Sequence, residues 1–486
     1  MWFRTPRQSQ LLAALDGNPG LPQVEITYPF DGALFPPGLP PPEIRWKSVE
    51  SRAGRRVVLL RSPDRSAITQ SCSGQSWRPP VGVWDNVRAR AGDGTLEIVV
   101  VELHRWTGRV RAAGRTRIQF ATNAVPGSLF YREVPIPFIE AVKDPSRIRW
   151  RFGTPCGPEQ PPVVLEKLPV CGNCHSFSAD GSVLGMDVDY ANDKGSYGII
   201  PVSPEMKLGR DRLITWSAYR REDGQTTFGL LSQVSPDGRY VVSTVKDRSV
   251  FVARDGLAFS QLFFPIKGIL AWYDRTTGQF ESLPGADDPA FVQSNPSWSQ
   301  DGRYLLFARA PAYQLRKIGD AGAVLLSQEE CAEFLKEGKP FQFDLYRIPF
   351  NEGRGGTPEP VPGASKNGES NYFGRYSPDG RWIVFCKAQN YMLLQPDSEL
   401  FIMPADGGEA RRLECNTDRM NSWHSWSPDG RWLVFSSKVF SDYTQLFIAP
   451  IDKTGHSRPP VLLDHLVSSN YAANIPEFAN LPPNAI

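Results

Sequence analysis

No run of 18 apolar residues occurs anywhere in this sequence, which excludes an ordinary transmembrane helix. An excess of one charge is also missing. The 54 Lys and Arg face 52 Asp and Glu, a net charge of +2, so nothing points to nucleic acid or to an anionic membrane surface. The G-x-S-x-G elbow of serine hydrolases is absent, and no stretch of about 200 residues remains to carry such an α/β domain. Neither a Rossmann glycine pattern nor a phosphate loop is present. The first residues, Met1-Trp2-Phe3-Arg4-Thr5-Pro6-Arg7, show no apolar leader core. Helical stretches are few, whereas 44 Pro and 42 Gly punctuate the chain, a balance that favours an all-β protein.

Cysteine is scarce, with 7 in 486 residues, yet two fall in Cys171-Gly172-Asn173-Cys174-His175. This is the spacing for covalent attachment of one haem c. Two thiols three positions apart reach the two vinyl groups of one porphyrin edge, and the next residue, His175, becomes the proximal iron ligand. The same pair of cysteines could serve half a zinc site, but no second C-x-x-C or H-x-x-x-H completes one. A thioredoxin-like redox pair needs a βαβ setting that this region lacks. The haem reading places the protein in the periplasm or another extracytoplasmic space. It therefore carries the expectation that a leader was removed or lost through start-site choice. The remaining Cys72, Cys156, Cys331, Cys386 and Cys415 are odd in number and widely spaced, so no disulfide framework is implied.

Self-similarity sets the architecture. Five segments share aromatic or aliphatic residue, Ser, any residue, Asp, Gly, then a strand. They begin at Phe177, Val234, Trp298, Tyr376 and Trp426, with their aspartates at Asp180, Asp237, Asp301, Asp379 and Asp429. Ser-Pro-Asp-Gly supplies a tight turn, and the flanks alternate apolar and polar as half-buried strands do. Each unit has room for about four strands, the content of one propeller blade. These units resemble the WD40-like blades of TolB-type propellers over roughly residues 165 to 470. The resemblance implies a ring of six blades, the sixth built from residues 130–165 with the C-terminal tail; a five-bladed ring is the alternative. The longest gap between motifs holds an insertion, where Ser327-Gln-Glu-Glu330 reads as a capping box before a short helix from Cys331 to Glu337.

The predicted organisation is an N-terminal extension over 1–20, then an immunoglobulin- or fibronectin-III-like β-sandwich over 21–123 with Trp46 as a core anchor. A linker and partial blade follow over 124–165, the propeller over 166–470, and a tail over 471–486 that closes the ring.

Alignment on the motif aspartates puts His175 and His424 at the same position of the first and last visible units, near one mouth of the channel. His424 is the candidate distal iron ligand and Met186 its rival, since imidazole and thioether are the common sixth ligands. A hydrogen-bonded channel histidine is the alternative for His424, and a core residue the alternative for Met186. Asp187, Asp189 and Asp193 form an acidic run; calcium is one reading and a polar blade loop the favoured one. The first functional expectation is a monohaem electron carrier docking a redox partner protein. A TolB-like binding scaffold is the second. The third is a haem oxidoreductase with a small-molecule substrate in the channel.

Overall fold

The Ser-x-Asp-Gly segments fold into one repeated hairpin turn. In the second unit Ser235 Oγ donates to Asp237 Oδ1 and accepts from the Tyr240 amide at 2.8 Å, while Asp237 Oδ1 accepts from the Arg239 amide at 3.0 Å. Gly238 takes φ +72°, which only a residue without a Cβ adopts freely. The same Ser–Asp contact recurs at Ser178, Ser299, Ser377 and Ser427. Local side-chain bonds thus fix the five turns before any long-range packing.

The computed structural model describes residues 8–16, 20–48, 55–104, 106–168, 174–220, 227–319 and 326–486. Each turn joins the two inner strands of a four-stranded antiparallel blade. The innermost strands are His175–Phe177, Leu230–Val234, Phe291–Trp298, Ser370–Tyr376 and Asn421–Trp426 in blades 1 to 5. Blade 6 is composite. Its inner strand Tyr471–Ala479 pairs antiparallel with Ser128–Pro135, followed outward by Arg149–Gly153 and Val163–Glu166. Each inner strand contacts the next around the axis, and Tyr471–Ala479 lies between blades 5 and 1. The ring therefore closes with six blades, and closure leaves no open edge on the inner strands.

The inner strands carry a shared irregularity. A register shift falls between Leu230 and Gln233, Ser294 and Ser297, Tyr372 and Arg375, Ser422 and Ser425, and Asn474 and Glu477. Within these bulges Leu231, Asn295, Phe373, Trp423 and Ile475 all adopt positive φ. Every one of the first four stands six residues before its motif aspartate. Cys174 holds that place in blade 1.

Before the ring lie a five-stranded sheet, Leu34–Phe35, Val110–Phe120, Thr95–Leu103, Arg56–Arg61 and Ala67–Cys72 in spatial order, and a three-stranded one, Glu25–Tyr28, Ile44–Lys47 and Ser76–Trp77. Trp46 is buried in a hydrophobic cluster that runs from these sheets into the propeller. A helix, Val81–Ala91, was not legible from the sequence; it buries Trp84, which meets Phe35 and Phe120 edge-on. This region seats on blade 5: the Leu462 amide donates to the Tyr28 hydroxyl at 3.0 Å, and Arg78 pairs with Asp464 at 2.6 Å.

Two excursions flank one mouth of the channel. The middle strands of blade 2, Tyr240–Ala253 and Gln261–Asp274, run 14 residues each and project as a hairpin arm. Lys438 of blade 5 clasps its tip, donating to the carbonyls of Leu257 and Ala258 at 3.0 and 2.9 Å. The insertion in blade 3 carries the capping box, with Ser327 N on Glu330 Oε2 at 2.7 Å and Glu330 N on Ser327 Oγ at 3.2 Å. Its helix is shorter than expected, Ala332–Leu335, and places Phe334 edge-on against Phe264 of the arm.

Candidate functional site on the propeller axis

The bulge residues converge on the axis and pinch the channel to a space of about 20 Å³, room for about one water. Cys174, Leu231, Asn295, Phe373, Trp423 and Ile475 contribute to this constriction, one from each blade, and Trp423 stacks on Phe373 at 4.6 Å. Above it, on the side of the hairpin arm, opens a cavity of about 300 Å³. Its walls are mainly apolar: Phe138 and Val142 from blade 6, Leu230 and Leu231 from blade 2, and Phe251 and Phe263 from the arm. Arg132, Asp187, Asp189, Lys194 and Gln261 supply the polar rim.

Cys174 lines both the cavity and the constriction, and its carbonyl accepts from the Asp187 amide at 2.9 Å. Cys171 of the same motif lies outside the described residues, as do Gly172 and Asn173. His175 follows at once but turns the other way. It is 1% exposed, and its ring meets Phe130 of blade 6 edge-on at 4.7 Å. Met186 stands opposite it on the next strand and is buried in the same cluster as Phe130 and Trp150.

His424 occupies the equivalent place in blade 5 and likewise turns to the preceding blade. Its Nε2 bonds the Val384 carbonyl at 3.0 Å, and Nδ1 lies 3.8 Å from Cys386 Sγ. Burial, with the nearby Arg375 charge, pushes its pKa down to about 3, so the ring is neutral. Both histidines border the same constriction, as their shared repeat position predicts. Their rings nevertheless point into different inter-blade clefts, because blade 6 stands between blades 5 and 1. Iron ligation through His424 Nε2 requires its bond to Val384 to break.

The acidic run divides its tasks. Asp187 accepts from Ser232 Oγ at 3.0 Å; desolvation, with Asp247 adding repulsion, pushes its pKa up to about 8. Asp189 forms an ion pair with Lys194. Asp193 accepts from the Gly195 amide at 3.1 Å. Among the described residues no three or more His, Cys, Asp or Glu side chains are grouped so as to hold a metal ion.

The donor set can be tested against a haem. A cavity of this size takes only part of a porphyrin, but its lining is apolar, the motif cysteine Cys174 opens onto it, and Arg132 places a buried guanidinium at its rim. The lining fits; the volume would have to widen. The imidazole of His175 fits only after it turns from Phe130 towards the cavity. The sequence singled out Cys174 and His175 but not Arg132, Phe251, Phe263 or Trp423, which the structure brings to the same region. Trp423 shares the spacing of Cys174 and was findable from the repeat; the arm residues reach the cavity through tertiary packing alone.

These strand pairings define the protein as a six-bladed β-propeller with an N-terminal β-rich region. No family model and no curated protein match the chain. Among solved structures it is similar to an oligogalacturonate lyase in complex with manganese, at 14% identity and a TM-score of 0.35 over 59% of this chain and 66% of that one. It is also similar to a periplasmic gluconolactonase of Pseudomonas aeruginosa, at 15% identity and a TM-score of 0.36, covering 68% and 81%. A third likeness is to the propeller domain of a Myceliophteria thermophila protein, Cps50 (Swd1), at 10% identity and a TM-score of 0.27, covering 84% and 98%. At these scores a likeness says nothing of substrate or activity.

Proposed function

We propose that this chain is an extracytoplasmic monohaem c-type cytochrome whose propeller channel houses one covalently attached haem and which transfers electrons to a protein partner. The observation that carries this reading is the place of Cys174: the motif cysteine opens onto an apolar cavity of about 300 Å³ on the axis. When bound, the haem supplies a one-electron couple. The chain's own residues do the rest. Cys171 and Cys174 would anchor the porphyrin edge. Phe138, Phe251 and Phe263 exclude water and lower the local dielectric, which tunes potential. Arg132 and Lys194 would meet the propionates. His175 would supply one iron ligand after turning from Phe130, and His424 a second only after leaving the Val384 carbonyl, while Met186, the cross-strand neighbour of His175, is buried with Phe130 and Trp150 on the same side as that histidine.

The test is expression in a host competent for cytochrome maturation, followed by haem staining of a denaturing gel and intact-mass measurement. The expected result is one haem added to the chain, lost in Cys174→Ser. A bare polypeptide would overturn the reading and leave a ring-shaped binding scaffold.

A second reading, haem oxidoreductase, is favoured by Asp187, a carboxyl on the cavity rim whose raised pKa suits proton exchange near neutrality. Carbon monoxide binding to the reduced protein separates the two. A closed coordination sphere refuses it, whereas an open catalytic iron takes it up.

A further inference from the structure

The channel has a second mouth, on the far side of the constriction from Cys174, with its own cavity of about 200 Å³. We infer that this mouth binds a neutral saccharide unit. The inference is independent of the haem reading.

Three observations carry it. The first is an aromatic collar. The residue three before each motif aspartate is Phe177, Trp298, Tyr376 or Trp426 in four blades, and Phe478 of blade 6 completes the set, all lining this cavity. The flat C–H face of a sugar ring packs on such π faces. The second is charge balance. Among the lining residues only Arg375 and Glu477 are charged, and they pair across the axis at 2.8 Å. A neutral ligand loses no solvation of its own charge here, while an anion or cation meets a pair whose charges already neutralise each other.

The third is the set of polar atoms left over. Glu477 is 9% exposed; its Oε1 takes the Arg375 bond, but Oε2 is buried with no hydrogen-bond partner among the described residues. Trp426 Nε1 is in the same condition. One needs a donor and the other an acceptor; both lie just beneath the lining, where a hydroxyl, which is both, meets them once the side chains turn towards the mouth. The amides of Gln233, Gln300 and Asn480 line the same mouth and can bond further hydroxyls in either sense. The volume lies below the range for drug-sized ligands, which suits one sugar unit.

The experiment titrates the purified full chain with glucose, galactose, mannose, xylose and N-acetylglucosamine, following heat and tryptophan fluorescence, with galacturonate and glucosamine as charged controls. Saturable binding of at least one neutral sugar is expected, with the charged controls about tenfold weaker or absent. Trp298→Ala should weaken binding about tenfold. Because Trp298 also packs on Phe350, the second variant is Ala179→Trp, which fills the exposed rim without touching the core and should abolish binding. The inference is overturned if no neutral sugar binds, if a charged sugar binds best, or if Ala179→Trp binds as the native chain does.

Discussion

The two mouths of the channel are built from the same repeat and differ in chemistry. Six residues before the motif aspartate, the bulge positions aim Cys174, Leu231, Phe373 and Trp423 at the axis, under an apolar cavity. Three and four residues before it, the positions supply aromatics together with Gln233, Ser297, Arg375 and Ser425, which makes the other mouth polar. A shift of two or three residues along one strand therefore separates a dry chamber from a hydrogen-bonding one. Additions from outside the repeat widen the contrast. The hairpin arm and residues 138–145 cover only the Cys174 side.

The largest effect should come from deleting Tyr471–Ala479. That strand supplies Ile475 to one mouth and Glu477 and Phe478 to the other, and it exposes Ser128–Pro135 when lost. Loss of cooperative unfolding in a calorimetric scan is expected; a transition like that of the full chain would show that the ring closes without its seam.

Next comes a pH effect centred on the constriction. In the folded chain His424 has a pKa near 3, against an ordinary value of 6.5. Between those values the unfolded chain takes up a proton that the folded chain refuses. The His424 contribution to stability should therefore fall as pH drops from about 6.5 towards 3, by on the order of 4 kcal/mol at the acid end, while Asp187, whose pKa is raised, works in the opposite direction. Denaturant titrations of the native chain and of His424→Gln across that range check it, since the difference between the two isolates the histidine.

At the polar mouth, Glu477→Gln leaves the Arg375 guanidinium without its carboxylate. A loss of about 1–3 kcal/mol is expected from urea unfolding, with the apolar cavity unaffected. The smallest effect should be Lys438→Met, within about 1 kcal/mol globally. Its signature is local: faster amide exchange at the tip of the arm near Leu257 and Ala258, whose carbonyls lose their clasp. Unchanged exchange would show that aromatic packing at Phe264 holds the arm by itself.

Much of the ring was legible because its turns are local. Ser235, Asp237 and Gly238 encode their hairpin within six residues, so five blades could be counted from the chain and the sixth expected from residues 130–165 with the tail. Trp46 was legible as a buried anchor for the same reason, an aromatic on an alternating strand. The helix Val81–Ala91 was not, since it begins after Pro80 with no side-chain cap and packs through Trp84 against strands far along the chain. At the site, the common repeat position of His175 and His424 was readable and both do border the constriction. The direction of each ring was not, because it is set by packing on the preceding blade, Phe130 for His175 and the Val384 carbonyl for His424. Nor could spacing reveal that the His424 nitrogens face Val384 and Cys386.

The sequence alone determined the repeating turn, the all-β class and the pairing of two motif thiols with an adjacent imidazole, because each depends on residues within a few bonds of one another. Tertiary structure decided the rest. Closure of the ring by Tyr471–Ala479, the apolar chamber beside Cys174 and the polar collar opposite it arise where six distant strands meet on one axis. Which way a side chain faces there depends on neighbours hundreds of residues away.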